Sequence, residues 1–258
     1  MIRLTELGVG EMMELRARLR DIADQNCPFI EDAAASMADL FRSSPLDDDG
    51  RPACALVRVY KTHLFAGLDT DLQAFARGID PAVDTINGLR CLVLLATAGD
   101  LPQWNSRLTS RGHRAIPLSS EEAVAGAPMI LQLVRQLGID VSMVLRPEPG
   151  LLLDAAERPH NVFYVADAHG SPSIPAQQNF VVPHAIKSVI GFGGLVSSGD
   201  LFATILFSRV AISPEIADLF KILGLNFKLA MMRHADKKLF KPITRPASLI
   251  SPRARAES

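Results

Sequence analysis

The sequence predicts an α+β protein in which an antiparallel β-sheet is covered on both faces. The strongest indication is a strand–turn–strand pattern over 186–196 and 200–208. The intervening turn contains Gly199, which can adopt the positive φ that short hairpin loops require. Apolar side chains occupy both alternation phases of the two strands, so neither face of this hairpin is expected to contact water.

A long helix is predicted directly after this hairpin. Ser213 is a favourable N-cap, Pro214 suits the first helical position, and Glu215 stands where the helix dipole favours an acid. An apolar stripe follows at spacings of three and four, consisting of Ile216, Leu219, Phe220, Leu223, Phe227, Ala230 and Met231. The stripe predicts that helix 214–232 packs across the sheet.

Two more helices are predicted near the N-terminus. The first, over 10–24, carries a narrow apolar seam that fits either a helical partner or the rest of its own domain. This seam consists of Met12, Leu15, Leu19 and Ile22. The second helix is predicted to follow Asn26 as N-cap and Pro28. The acidic run 47–49 after it is interpreted as a solvated loop.

The central part of the chain predicts alternating strands and helices. Strands are expected at 53–60, at 64–68 as its hairpin partner, and at 89–97, 139–145 and 161–166, with a further short edge piece at 151–154. A short helix is expected after Asp69 or Asp71 as cap. A longer helix is expected over 119–137, where Ser119 or Ser120 is the cap and Gly138 ends it.

The C-terminal part of the chain, best over 160–232, resembles the second half of a GAF domain. The segments that carry the resemblance are SVIGFGGLV, SSGDLF, ATILFS and ISPEIADLFKILGLNFKLAM. The resemblance implies a GAF-like (profilin-like) sheet, with helices from both termini on one face and loops and a helical insertion over the other. We accordingly expect an N-terminal helical segment at 1–50 and a GAF-like domain at 51–233, with an inserted loop and helix at 99–138. A disordered basic tail is expected at 234–258.

Composition favours a cytoplasmic globular protein. The apolar fraction is 48% and the formal net charge is −1, which argues against nucleic-acid or membrane partners. Three widely spaced cysteines, Cys27, Cys54 and Cys91, are expected to be reduced and buried. The longest uncharged apolar run, 91–99, is too short to span a bilayer.

Two polar loops are the candidates for ligand binding. Loop 99–118 combines the single tryptophan with several basic residues. Loop 167–185 is stiffened by prolines and lies where the resemblance implies a lid over a pocket. The predicted ligand contacts are Trp104, Arg111, His113, Tyr164, His169, Gln177 and His184. The same loops could also plug a sheet that binds nothing.

No catalytic motif supports an enzyme. The GxSxG, HExxH and P-loop patterns are missing from the sequence. Some GAF-like enzymes use cysteines in loops beside the pocket, but loops 99–118 and 167–185 contain none. We therefore expect a sensory or regulatory module that binds a small molecule and signals to a partner protein through helix-mediated homodimerisation. The alternatives are a ligand-free dimerisation module and a small GAF-fold enzyme. The sequence identifies neither the ligand nor a cofactor.

Overall fold

A computed structural model describes residues 2–148 and 161–242. The strands in these residues are β1 (Ile2–Arg3), β2 (Pro45–Leu46), β3 (Cys54–Leu64), β4 (Arg90–Gly99), β5 (Ala115–Leu118), β6 (Val162–Val165), β7 (Ser188–Leu195) and β8 (Leu201–Ser208). The α-helices are α1 (Val9–Ala23), α2 (Ile30–Ser43), α3 (Thr70–Ile79), α4 (Glu121–Ala125), α5 (Pro128–Gln136), α6 (Val141–Leu145) and α7 (Pro214–Met232).

Six of the strands form one sheet in the order β5–β4–β3–β8–β7–β6, and all neighbouring pairs are antiparallel. The pairing of β7 with β8 runs without a break from Ser188 opposite Ser208 to Leu195 opposite Leu201. Gly199 in the connecting turn has φ 77°. The predicted hairpin and the α+β class are confirmed.

Helices α1, α2 and α7 cover one face of the sheet. Their apolar side chains join those of the facing strands in one buried core; Phe41 of α2 and Phe227 of α7 both contact the ring of Phe192 on β7. The four seam residues of α1 are buried in this core as well. The seam therefore packs within its own domain and does not serve a helical partner.

The opposite face is covered by α4, α5, α6 and loop 167–185. These elements share a second core with the strand residues that point away from the terminal helices, such as Phe163, Val189 and Ile205. Helix α3 packs at the β4–β5 end of the sheet. Helices from both termini thus lie on one face and the inserted elements lie on the other.

Four local predictions are wrong. Residues 115–118, predicted as the end of loop 99–118, form the edge strand β5, which pairs with β4. Segment 139–145 forms α6 instead of a strand, because the Asp140 side chain accepts a hydrogen bond from the Ser142 N–H and caps a helix. Segment 64–68 forms a 3₁₀ turn, and β3 pairs with β4 and β8 instead. The helix predicted over 119–137 is divided between α4 and α5, where Pro128 begins a new helix.

The start of the basic tail packs against the domain. The backbone carbonyl of Lys238 accepts a hydrogen bond from the Ile30 N–H, and His234 is buried. The ring of Phe240 lies 3.6 Å from the guanidinium carbon of Arg107. Residues 234–242 are therefore ordered, which corrects that part of the predicted tail. The edge piece predicted at 151–154 and the rest of the tail lie outside the described residues.

Candidate functional site

An apolar cavity of about 400 Å³ lies between the sheet and the elements that cover its second face. Its floor is made by side chains from four strands: Tyr60, Leu92, Ile116 and Ile205. Its walls come from the end of α3, the start of α5, and both loops that the sequence singled out. A cavity of this size suits a small-molecule ligand.

Strand alternation explains how β3 serves both sides of the sheet. Val57 and Val59 point into the core beneath the terminal helices, whereas Leu56 and Tyr60 belong to the core around the cavity. Arg58 lies between Leu56 and Tyr60 in the same alternation phase and therefore faces the cavity side. A charged residue is thereby placed beside an apolar chamber.

Arg58 organises the polar end of the cavity. Its Nη1 lies 3.3 Å from the Tyr60 hydroxyl oxygen and 3.4 Å from Nδ1 of His113. Its Nη2 donates to the Ser110 hydroxyl at 3.4 Å, and that hydroxyl donates to the Gly112 carbonyl at 3.1 Å. The guanidinium thus joins strand β3 to the loop that carries His113.

His113 is the predicted site residue that lines this cavity. Its backbone φ of 61° is in the left-handed region, which turns the loop towards the chamber. His113 is an exposed residue, but desolvation by the protein atoms around its ring, and then the positive charge of Arg58, lower the pKa of His113. The imidazole is therefore neutral at pH 7.

Trp104 and His184 come together at the junction of the two loops. Their rings are 4.6 Å apart, and Phe180 contacts both rings. Phe180 also packs edge-to-face on Phe207 of β8 at 4.9 Å. We call these four side chains the aromatic clasp. The clasp joins loop 99–118 to loop 167–185 and is separate from the residues that line the cavity.

The other four predicted residues lie elsewhere. The Gln177 amide donates to the carbonyls of Ala168 and Ile174, so it holds its own loop together. Tyr164 packs on the opposite face of the sheet, where its hydroxyl donates to the Ile212 carbonyl. Arg111 and His169 are exposed and outside the cavity lining.

Arg58 and Tyr60 are not among the site residues that the sequence predicts. The signal was an arginine inside the otherwise apolar run Ala-Leu-Val-Arg-Val-Tyr. In a strand covered on both faces, a charged side chain needs a polar environment or a ligand, because burying an unpaired charge is costly. The run itself does not say which loop supplies that environment, and this depends on the position of His113 in the folded chain.

A second polar cluster fixes the end of the β7–β8 hairpin. Asp200 accepts hydrogen bonds from Lys61 at 2.7 Å and from Arg90, whose exposed fractions are 4% and 8%. Burial would raise the pKa of Asp200, but the two cations outweigh it and hold that pKa below its usual range. The Thr62 hydroxyl accepts from Arg90 and from the Leu201 N–H. This cluster is a structural tie between the hairpin and β3 and β4.

The three cysteines lie in the interior of the protein. Cys27, Cys54 and Cys91 are free and buried. Burial raises the pKa of Cys54 and of Cys91 to about 12, which keeps both thiols protonated at neutral pH.

Within 2–148 and 161–242, no group of three or more His, Cys, Asp or Glu side chains is placed to hold a metal ion. In the same residues, no helix is both long and apolar enough to cross a bilayer.

No protein-family profile and no curated protein sequence matches this chain. Solved structures are similar to it. The GAF domain of a phosphoenolpyruvate-protein phosphotransferase from Coxiella burnetii shares 12% identity at a TM-score of 0.46, over 89% of this chain and 96% of that one. Free methionine-R-sulfoxide reductase from Neisseria meningitidis, in complex with its substrate, shares 15% identity at a TM-score of 0.42, over 86% and 93%.

A bacteriophytochrome from the photosynthetic bacterium R. palustris is also similar, with 9% identity and a TM-score of 0.37, over 89% of this chain and 38% of that one. The arrangement of the sheet, the terminal helices and the inserted elements is the one that the sequence resemblance implied. The fold is GAF-like. At these identities and TM-scores, no functional residue can be transferred from the three proteins to this chain.

Proposed function

We propose that this chain is a GAF-like sensory or regulatory module that binds a small molecule in the cavity between the sheet and loops 99–118 and 167–185. The observation that carries the proposal is the cavity itself, which has an apolar floor and one polar end formed by Tyr60 and His113. Binding sites for small molecules typically combine apolar walls with a few placed polar groups.

Both loops line the cavity, so a bound ligand would contact both of them. Loop 99–118 contributes His113 to the cavity, and loop 167–185 contributes Pro175. The aromatic clasp joins the same two loops, so Trp104 and His184 are proposed to couple their movements, not to contact the ligand. A ligand would shift the protein only if it bound one arrangement of these loops better than another.

Strands β3 and β8 give the cavity a connection to the terminal helices. Tyr60 and Ile205 line the cavity, while their sequence neighbours Val59 and Leu206 pack beneath the helices. We propose that ligand binding alters the packing of α1 and α7 through these two strands. Because side chains in a close-packed core transmit small displacements, no hinge is needed.

An exposed apolar strip on α1 and α7 supports homodimerisation. It consists of Val9, Met13, Leu225, Leu229 and Met232, whose exposed fractions lie between 36% and 59%. The two helices run parallel, because Arg16 contacts Asn226 and Asp24 contacts Arg233 further along both helices. Met13 lies one turn before Arg16 and Leu225 directly precedes Asn226, so the two helices carry these exposed apolar residues at neighbouring levels. A second copy related by a two-fold axis would cover it with the same strip.

Ligand binding is tested by a thermal-shift screen with nucleotides, amino acids, heterocycles and small carboxylic acids. A compound present at 100 times its Kd should stabilise the protein by about 2.7 kcal/mol. Ala127→Trp fills part of the cavity, whereas Ala125→Trp changes an exposed alanine two residues away. Compounds that bind in the cavity should lose their shift in Ala127→Trp and keep it in Ala125→Trp. If no compound stabilises the wild type, the ligand-free alternative is favoured.

Dimerisation is tested by multi-angle light scattering on the full chain. The wild type is expected at twice its 28.0 kDa mass, and Leu229→Glu is expected at the monomer mass with an unchanged circular dichroism spectrum. Leu108→Glu is the matched control, because Leu108 is 47% exposed against 49% for Leu229 but lies outside the strip. A wild-type monomer, or equal behaviour of the two variants, would count against this interface.

A further inference from the structure

We infer that the cavity selects an apolar ligand with one anionic, hydrogen-bond-accepting head group, such as a carboxylate, and that Arg58 sets this preference. The inference rests on the proposed function, since it concerns the ligand class of the same cavity. It follows from the direction of each hydrogen bond at the polar end and from the charge that remains there.

The apolar walls set the first requirement on the ligand. Apart from Tyr60 and His113, the side chains that line the cavity are apolar. A ligand body buried among them gains free energy in proportion to the apolar area that it removes from water. A second polar group on the ligand body would be buried without a partner, at a cost.

Hydrogen-bond directions set the second requirement. A guanidinium can only donate, so Tyr60 Oη and His113 Nδ1 must both act as acceptors towards Arg58. The proton of the neutral imidazole is then on Nε2, and the Tyr60 O–H is free to point away from Arg58. Each of the two residues thus keeps one donor for another partner. These two donors favour an acceptor as the ligand head group at this end.

The charge of Arg58 sets the third requirement. The contacts that the structure gives its guanidinium are with Tyr60, His113 and Ser110, all of them neutral. The two buried arginines are different, since Arg90 contacts Asp200 and Arg107 contacts Glu31. Within 2–148 and 161–242, no carboxylate forms an ion pair with Arg58, so the half-buried guanidinium places a positive charge without a counter-ion beside an apolar chamber. It favours an anionic head group and opposes an ammonium group.

Arg58 is a specificity-determining residue in this scheme, because it acts through the side chains that line the cavity. Its charge polarises the Tyr60 O–H and the His113 Nε2–H towards an acceptor. A carboxylate suits such donors best, since hydrogen bonds to an ionised acceptor are roughly twice as strong as neutral ones. An alcohol of the same length would fill the same apolar walls without the charge.

The test compares octanoate, 1-octanol and octylamine by isothermal titration calorimetry on the full chain at pH 7.5. Octanoate is expected to bind at least about tenfold more tightly than 1-octanol, and octylamine more weakly than either. In Arg58→Gln the octanoate preference should fall to about one, while 1-octanol binding is retained. Arg58→Lys, which keeps the charge, should retain part of the preference. Arg135→Gln, an exposed change on α5, should retain all of it.

The outcomes separate this inference from the proposed function. If 1-octanol binds as tightly as octanoate, or if Arg58→Gln keeps the octanoate preference, the ligand class or the role of Arg58 is wrong while the cavity remains a binding site. If none of the three compounds binds but the thermal-shift screen finds a ligand that is blocked by Ala127→Trp, the ligand class is again wrong. If neither experiment finds binding, the proposed function itself fails.

Discussion

Gly193 is the residue whose replacement tests most directly how β7 and β8 pair. Its φ is 153°, and a Cβ atom built there would lie 2.1 Å from the carbonyl oxygen of Phe202 and 2.9 Å from the Cα of Ala203. Both are backbone atoms of the partner strand, so neither can rotate away. Gly194 has almost the same φ, 155°, but its nearest neighbour is a side-chain carbon of Lys228 at 3.7 Å.

The two glycines therefore separate backbone strain from steric clash. A backbone conformation that L-residues rarely adopt costs alanine about 1–2 kcal/mol, and Gly194→Ala should lose roughly that amount of unfolding free energy. Gly193→Ala must also push the backbone of β8 away at Phe202 and Ala203, where the ladder pairs the two strands. Weakened ladder hydrogen bonds, at about 1 kcal/mol each, and disturbed packing of the buried Phe202 bring its expected loss to about 3–5 kcal/mol.

Urea unfolding followed by far-ultraviolet circular dichroism measures both losses. The urea midpoint should be highest for the wild type, lower for Gly194→Ala and lowest for Gly193→Ala. The slope of unfolding free energy against urea concentration should be the same for every one of them that unfolds cooperatively. Equal losses for both variants would show that Gly193 does not face the β8 backbone. The observed register of β7 against β8 would then be wrong, and with it the positions of Ile205 and the cavity floor.

Three further predictions address other parts of the fold. Asp200→Asn should cost about 3–5 kcal/mol of unfolding free energy, because it leaves Lys61 and Arg90 as unpaired buried cations; Asp84→Asn, in an exposed pair, should show no measurable loss by the same urea titration. Burial lowers the pKa of three histidines below 6.5, namely His63, His113 and His234. The unfolded chain then binds more protons, so the urea midpoint should fall as the pH falls through 6.5, and less steeply in His234→Gln; a flat profile would contradict this. Trp104→Ala should open the aromatic clasp, so that amide hydrogen exchange accelerates in loop 167–185 but not in α1; unchanged exchange in that loop would argue against the clasp.

The sequence predicted the parts of the fold that depend on local pattern. Both strands of the 188–208 hairpin follow from continuous apolar runs around a glycine turn, and α7 follows from Ser213, Pro214 and a regular stripe. A cap for α3 was predicted at Asp69 or Asp71, and the structure has Asp69 as the cap. Caps, turns and apolar periodicity depend on residues that are close in sequence, so they can be recognised without knowing the rest of the fold.

Predictions from local pattern were wrong where a short apolar segment is compatible with both a strand and a helix. Segment 139–145 reads equally well as a strand or a helix, and the cap at Asp140 decided for the helix. The partner of β3 was also misassigned, because the sequence does not show that β8, about 140 residues later, would be its neighbour. Sheet order is a long-range property, and the nearest apolar run is not always the partner.

By itself, the sequence determined an α+β chain with a buried hairpin, terminal helices and two polar loops near a sheet. The tertiary structure determined which residues those loops contact. It placed Tyr164 on the far face and Gln177 within its own loop, and it brought Arg58 beside His113, 55 residues apart in sequence. Alternation along a strand fixes which residues share a face, but only the packing of loops over that face determines which of them form one site.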